Sequence, residues 1–445
     1  MEKKYSISNK EIWAITMPII LGNLAQSLIA IIDTAFLGRL GEVELGASMM
    51  SSIYYFVWVT LPWGFAIGIQ ILIARRLGEN RNDRIGVIFQ HGIRIMLIFG
   101  LILFSLLYLL TPTILGKVIS SPNILEASKQ FMEYRIYGII FVCSNYLCRY
   151  FFIGISNTKI ITISTIVMAI TNIILDYGLI FGKFGLPEMG ISGAALASSI
   201  SEFTGFLTFW IYLIFIFDNK KYSLFLYKKF ETWLVGHLLK LSIPTMCQKL
   251  LGIGIWFIFF VFVENMGEES IAVSGIIRSL FMLIGVTIFA FGSTANTVVS
   301  RLMGEGKTKE VYNTIGRITM YSYLMIAPIL LLCFICPDRL LSIYTDIESL
   351  KIASIETLNV LCIAMLFYVP GIIYFEAVSG TGNTKHALAI EIITLIFYST
   401  GIYLLIYGLK VNVAGAWISE IIYGSVIFII SALYMWKYKW QETQI

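Results

Sequence analysis

Pro18-Ile-Ile-Leu-Gly-Asn-Leu-Ala-Gln-Ser-Leu-Ile-Ala-Ile-Ile-Asp33-Thr-Ala-Phe-Leu-Gly38 is an oily run that carries one carboxylate. A bilayer-spanning helix needs about 20 predominantly apolar residues. An ionised side chain inside such a helix costs about 2.5–3.5 kcal/mol on insertion scales, so Asp33 is a functional-site candidate by default. A second carboxylate, Asp176, sits in a comparable apolar run, Asn172-Ile-Ile-Leu-Asp176. The two are expected to form an ion-coupling site.

The rest of the chain agrees with a membrane reading. Of 445 residues, 58% are hydrophobic and 13% charged, and the mean hydropathy is +0.83. Soluble domains run at about 45–50% apolar and about 25% charged. The net charge of +5 is therefore no nucleic-acid footprint; excess Lys and Arg marks the cytoplasmic side of membrane proteins. Cys143, Cys148, Cys247, Cys333, Cys336 and Cys362 all lie in or beside apolar runs. No flanking charge would activate the thiol pair Cys333/Cys336, so packing is expected of them rather than redox chemistry. Met1 to Lys10 leads straight into the first span without a small-residue cleavage site, and no removable signal peptide is expected.

Twelve spans are predicted, at 11–39, 46–75, 86–111, 125–156, 160–182, 191–217, 237–264, 270–301, 311–337, 347–381, 385–408 and 412–436. Loops on one side carry 19 Lys and Arg residues and loops on the other carry 7. That bias predicts both termini in the cytoplasm. The longest hydrophilic stretch contains Lys220-Lys221, Lys228-Lys229 and Trp233. It reads as an amphipathic connector on the inner leaflet. The expected organisation is an N-terminal six-helix lobe (1–217), the connector (218–236) and a C-terminal six-helix lobe (237–445).

The halves repeat. Pro18 matches Pro244 at an offset of 226, as do Gly41-Glu42 and Gly267-Glu268, Arg75 and Arg301, and Asn157-Thr158-Lys159 and Asn383-Thr384-Lys385. Gly193-Ala194 matches Gly415-Ala416 at 222. Six spans per repeat make it a parallel one, about an axis along the membrane normal. Two such bundles predict a central cleft and alternating access.

Asp33 lies five residues before Gly38 and Asp176 six before Gly182. A rise of about 1.5 Å per residue puts both about 8–9 Å below the outer surface. Asn172, one turn before Asp176, shares its face. The repeat partners of Asp33, Asn172 and Asp176 are Phe259, Tyr398 and Ile402, so a symmetric structural role is not expected. Carboxyls withdrawn from water and close to one another favour holding a proton, which water or a partner can release. The same oxygens suit Na⁺. The competing reading is simple hydrogen bonding to helix neighbours. Pro18 lacks an N–H and predicts a bend in the first span. Gln70, Glu202, Arg278 and Glu420 are candidates to line the cleft. Arg149, Lys249, Glu376 and Glu391 are expected to pair structurally or to snorkel. Tyr54, Trp58 and Phe65 share a helical face that suits flat cations, broken by Leu61.

With these residues in view, the chain resembles the multidrug and toxic compound extrusion (MATE) transporters over essentially its whole length. The resemblance rests on Pro18, Asp33-Thr-Ala-Phe-Leu-Gly38, Ala74-Arg75-Arg76-Leu-Gly78-Glu79, Gly154-Ile-Ser-Asn157-Thr158-Lys159, Asn172-Ile-Ile-Leu-Asp176 and Gly190-Ile-Ser-Gly193-Ala-Ala-Leu-Ala197. It is most similar to the DinF-like branch. The resemblance implies an outward-opening cleft between two lobes, and antiport in which H⁺ or Na⁺ enters while organic cations leave. It implies a cation site at Asp33, Asn172 and Asp176 and a bend at Pro18. There are departures. Gln248-Lys249-Leu-Leu-Gly252 stands where NorM-type members carry a glutamate, which argues against a second-lobe site of that type. Ala194 aligns with a hydroxyl that some first-lobe sites use, which weakens the Na⁺ reading; Ser198 and Ser199, a turn later, are candidates to substitute for it.

The expected partners are a cationic small molecule and the plasma-membrane bilayer of a prokaryote, with no nucleic acid, no cofactor and a monomeric state. A flippase for lipid-linked sugars or wall precursors is the alternative. Such proteins present a strongly cationic cavity, and the first-lobe site here is anionic. His91, His237 and His386 fall near cytoplasmic helix ends, and no H-E-x-x-H or nucleophile elbow occurs, so an enzyme is not expected.

Overall fold

In lipid each backbone N–H and C=O must be satisfied within its own segment, which leaves helices as the solution for these apolar runs. The computed structural model describes residues 7–226 and 229–445. Its helices are α1 (Asn9–Leu37), α2 (Glu42–Gly78), α3 (Asn82–Val118), α4 (Pro122–Arg135), α5 (Gly138–Gly154), α6 (Lys159–Phe181), α7 (Ile191–Ile211) and α8 (Thr232–Glu264). They continue as α9 (Glu268–Gly304), α10 (Val311–Ile335), α11 (Pro337–Leu341), α12 (Glu348–Gly380), α13 (Thr384–Tyr403), α14 (Val413–Ala416) and α15 (Ile418–Lys437). Among the described residues, 11 helices are long and apolar enough to cross a membrane, and α4 with α5, bent by 54°, makes the twelfth. The chain is thus an all-α membrane protein of two repeated halves.

The repeat reaches individual helix ends. Both limits of α2 recur in α9 at an offset of 226, as do the start of α4 and the end of α5 in α12. The halves differ inside that last pair. The first half breaks at Ile136–Tyr137, and the second runs unbroken through the equivalent positions.

The chain forms two compact units, Met17–Met246 and Met1–Thr16 with Cys247–Ile445. The repeat divides the chain at the connector, whereas the two compact units meet inside α1 and α8. The unit change falls one residue before Pro18 and two after Pro244. α1 runs as one helix through Pro18, and the Thr162 hydroxyl donates to the Pro18 carbonyl at 2.8 Å.

In the 17–246 unit, the start of α8 lies against α2. The Thr245 hydroxyl donates to the Gly64 carbonyl at 2.6 Å, and Ser242 donates to the Phe65 carbonyl at 3.0 Å. Gly64 and Gly68 permit this approach. A Cβ on Gly64 would stand 2.5 Å from Met246 Cα, and one on Gly68 would stand 2.1 Å from Ser242 Oγ. Small residues four apart let helix backbones meet where lipid offers no hydrophobic drive. Phe65, which shares a helical face with Tyr54 and Trp58, is buried and packs on Phe99 of α3 rather than forming a wall with them. Tyr54 and Trp58 do pair, edge to face.

The connector differs from an amphipathic helix. Asn219–Tyr222 is one tight turn, and helix resumes at Thr232. Between them the chain docks on α3. Gln90 donates to the Leu224 carbonyl at 2.9 Å, the Glu231 N–H donates to His91 Nε2 at 2.8 Å, and Arg84 pairs with Glu231 at 3.0 Å. Backbone bonding of this kind replaces an amphipathic face. Lys228 lies outside the described residues.

In the other unit, the head of α1 is held by Glu11 to Arg301, by a 2.8 Å bond between the Thr16 and Thr294 hydroxyls, and by Trp13 edge-on to Phe291.

Replacing Gly68 by Val puts branched carbon onto Ser242. Overpacking of this kind costs about 1–3 kcal/mol. The detergent-purified variant is expected to melt several degrees below the parent by intrinsic fluorescence, whereas Gly236→Ala, with open space around its Cβ, is expected to melt with the parent.

Candidate functional site

The site is built on the last turns of two helices of the 17–246 unit. Asp33 lies one turn from the end of α1, and Asp176 lies near the end of α6, which Gly182 closes in a left-handed conformation (φ 64°). Asn172 lies one turn back on the same face. Asp176 and Asn172 are fully buried, and Asp33 is half-buried. The Asp33 and Asp176 carboxyls stand within hydrogen-bonding reach of each other.

Neither Asp176 oxygen, neither amide atom of Asn172, nor Asp33 Oδ1 has a protein donor or acceptor. Buried polar groups normally find partners, and each orphan costs about 1–3 kcal/mol. With both carboxyls ionised, two anions face each other without a donor. One proton makes each the partner of the other. A cation bridging the oxygens removes the same penalty. The arrangement therefore suits reversible uptake of a proton or a small cation.

A second polar group adjoins the pair. Arg135, the last residue of α4, donates to both oxygens of Glu202 on α7, at 2.9 and 2.6 Å. Its guanidinium lies 3.9 Å from the Tyr55 ring centroid on α2 and interacts electrostatically with Asp33. Asn145 on α5 donates to the Glu202 carbonyl at 2.9 Å, and Ser199 on α7 donates to the Tyr134 carbonyl at 2.9 Å. The break after Arg135 makes room for the pair. Gly138 opens α5 there, and a Cβ on it would fall 2.2 Å from a Glu202 oxygen.

Five helices thus bring Asp33, Asn172, Asp176, Arg135, Glu202 and Tyr55 into one neighbourhood. Of the cleft-lining candidates, Glu202 belongs to it. Gln70 is buried on α2, 15 residues beyond Tyr55, about 22 Å along the helix. Arg278 and Glu420 belong to the other unit. Arg278 is exposed, with its guanidinium 5.2 Å from the Phe260 ring centroid. Glu420 is buried and accepts from the Tyr398 hydroxyl at 2.6 Å. The inner polar residues are engaged structurally. Arg149 donates to Asn23, Lys249 pairs with Glu376 at 3.6 Å, and Glu391 accepts from the Tyr423 hydroxyl at 3.2 Å. Among the described residues, no group of three or more His, Cys, Asp or Glu is arranged to hold a metal ion.

Sequence reasoning did not single out Arg135 or Tyr55. The available signal was an arginine ten residues into a predicted span, followed three residues later by Gly138.

If Asp176 serves a cation rather than the fold, Asp176→Asn removes a buried charge that has no donor. Its thermal midpoint in detergent is expected to equal or exceed that of the parent. A fall of more than about 5 °C, roughly 1–2 kcal/mol for a chain of this size or more, would mark the carboxylate as structural.

The comparisons with known proteins agree with this architecture. A probable multidrug resistance protein NorM of Thermotoga maritima is 24% identical over 450 aligned positions, covering 98% of this chain and 94% of that protein. A probable multidrug resistance protein YoeA of Bacillus subtilis is 22% identical, covering 96% and 93%. A MOP superfamily transporter from Pyrococcus furiosus, described as having a binding pocket of reverse polarity, superposes with a TM-score of 0.87 at 18% identity, covering 96% of this chain and 94% of that one. An outward-facing multidrug resistance MATE transporter superposes at 0.88 with 17% identity, covering 98% and 97%. The MatE family model matches twice, at residues 18–178 and 244–404, beginning each time at the proline of the repeat and with the carboxylate pair inside the first match, and the chain belongs to the MatE family of membrane transporters.

Proposed function

We propose that the protein exports organic cations by alternating access, in exchange for a cation taken up at Asp33, Asp176 and Asn172. The observation that carries this reading is the adjoining carboxyl pair, buried Asp176 and half-buried Asp33, with no donor to either Asp176 oxygen or to Asp33 Oδ1. Only the first repeat has it; the partners Phe259, Tyr398 and Ile402 are apolar or phenolic. A role in one repeat alone is what a coupling site requires and a scaffold does not. The relatives' multidrug names support the cargo class. So does the local charge, with three carboxylates against one guanidinium, which disfavours a pyrophosphate-linked lipid. Pro18, at the change of unit, is the proposed point of bending. The proposed setting is the plasma membrane, as a monomer with both termini in the cytoplasm.

The test uses the full-length protein in an efflux-deficient bacterium and in liposomes. Cells expressing the parent are expected to resist ethidium, and Asp33→Asn and Asp176→Asn to lose at least tenfold of that resistance at equal expression. In liposomes, substrate-induced proton or Na⁺ release is expected from the parent and from neither variant. Resistance equal to the parent in both variants would overturn the assignment.

A further inference from the structure

A guanidinium beside a cation site needs a reason, because it repels the ion the site takes. Arg135 is permanently charged. Its planar fork is matched to one carboxylate, and both Glu202 oxygens are used by it. The Tyr55 ring supports its face. Its remaining neighbour of opposite charge is Asp33. Asp33 therefore stands between two neighbours, Asp176 on α6 and Arg135 on α4.

The two coupling ions make different demands. A sodium ion must be wrapped by several oxygens at once. A proton needs one oxygen to bond and one to share. Asp33, Asp176 and Asn172 supply the uncommitted oxygens, while Arg135 withholds both oxygens of Glu202 and draws on Asp33. Ala194, buried on α7, supplies no hydroxyl. We infer that Arg135 is the specificity-determining residue of the site, a tethered internal cation that denies Na⁺ its oxygen shell and makes H⁺ the coupling ion. This rests on the export reading above and deepens it.

The repeat supports a dedicated role. The counterparts of Arg135, Glu202 and Tyr55 are Leu361, Gly424 and Phe281. The helix that breaks directly after Arg135 is continuous in the other half. The pair is therefore specific to the first half and no part of the duplicated plan.

The experiment drives ethidium transport in liposomes by a pH gradient alone or a Na⁺ gradient alone. The parent is expected to respond to the pH gradient only. Arg135→Gln releases Glu202 and is expected to gain Na⁺-driven transport at least tenfold above the parent, with a melting temperature that rises in NaCl but not in choline chloride. Arg135→Lys keeps the charge but not the fork, and is expected to show Na⁺-driven transport above the parent and below Arg135→Gln. Should Arg135→Gln fail to accumulate, Glu202→Gln decides. The freed guanidinium then settles on Asp33, and proton-driven transport is expected to fall at least tenfold with no gain from Na⁺. A Na⁺-driven parent, an Arg135→Gln variant with the parent's ion dependence, or a Glu202→Gln variant with the parent's rate each overturns the inference while leaving export intact. A parent that moves ethidium under neither gradient overturns the export reading and this inference with it.

Discussion

Buried Asp176 and half-buried Asp33 adjoin one another, with no protein donor to either Asp176 oxygen or to Asp33 Oδ1. That single unsatisfied contact organises the 17–246 unit. α1 and α6 must bring Asp33 and Asp176 to the same depth, and Asn172 must share the face of Asp176. Beside them Arg135 is committed to both oxygens of Glu202, and the orphan oxygens gain no donor from it. A fold that keeps such a contact carries a destabilising term of a few kcal/mol against a net stability of about 5–15 kcal/mol for an ordinary domain. On the proposed coupling role, a bound cation or proton would remove the term and link stability to ion occupancy through the same oxygens.

Much of this is legible in the amino-acid order. Asp33 and Asp176 announce themselves because a charge in an oily run is expensive wherever it falls. Asn172 follows from helical spacing. The repeat is visible through Pro18 and Pro244, and the matching ends of α2 and α9 come from the same register. What escapes is what depends on three-dimensional approach. Arg135 lies in a run that reads as one continuous span, and only the bend after it turns the guanidinium towards Glu202. Phe65 shares a face with Tyr54 and Trp58 by periodicity, but it is buried and packs on Phe99 of α3. The connector, basic and aromatic, looks like a membrane-surface helix, yet its backbone groups find partners on Gln90 and His91. In each case a contact made in three dimensions outweighs side-chain pattern.

The two halves use one plan with different chemistry. Where the first repeat has Asp33, Asn172 and Asp176, the second has Phe259, Tyr398 and Ile402, and Tyr398 gives its hydroxyl to Glu420. Where the first breaks between α4 and α5, the second has the single helix α12. The duplicated plan supplies a symmetric frame, and polar substitutions on one copy supply direction.

The reciprocal membership of α1 and α8 has a consequence for how the chain can be divided. Asn9–Thr16 packs with the second half, and Thr232–Met246 packs with the first. Cutting the polypeptide in the connector would yield two fragments, each holding a piece of the other's core and lacking a piece of its own. During synthesis the face of α2 at Gly64 and Gly68 has its partner only once the helix that follows the connector has emerged.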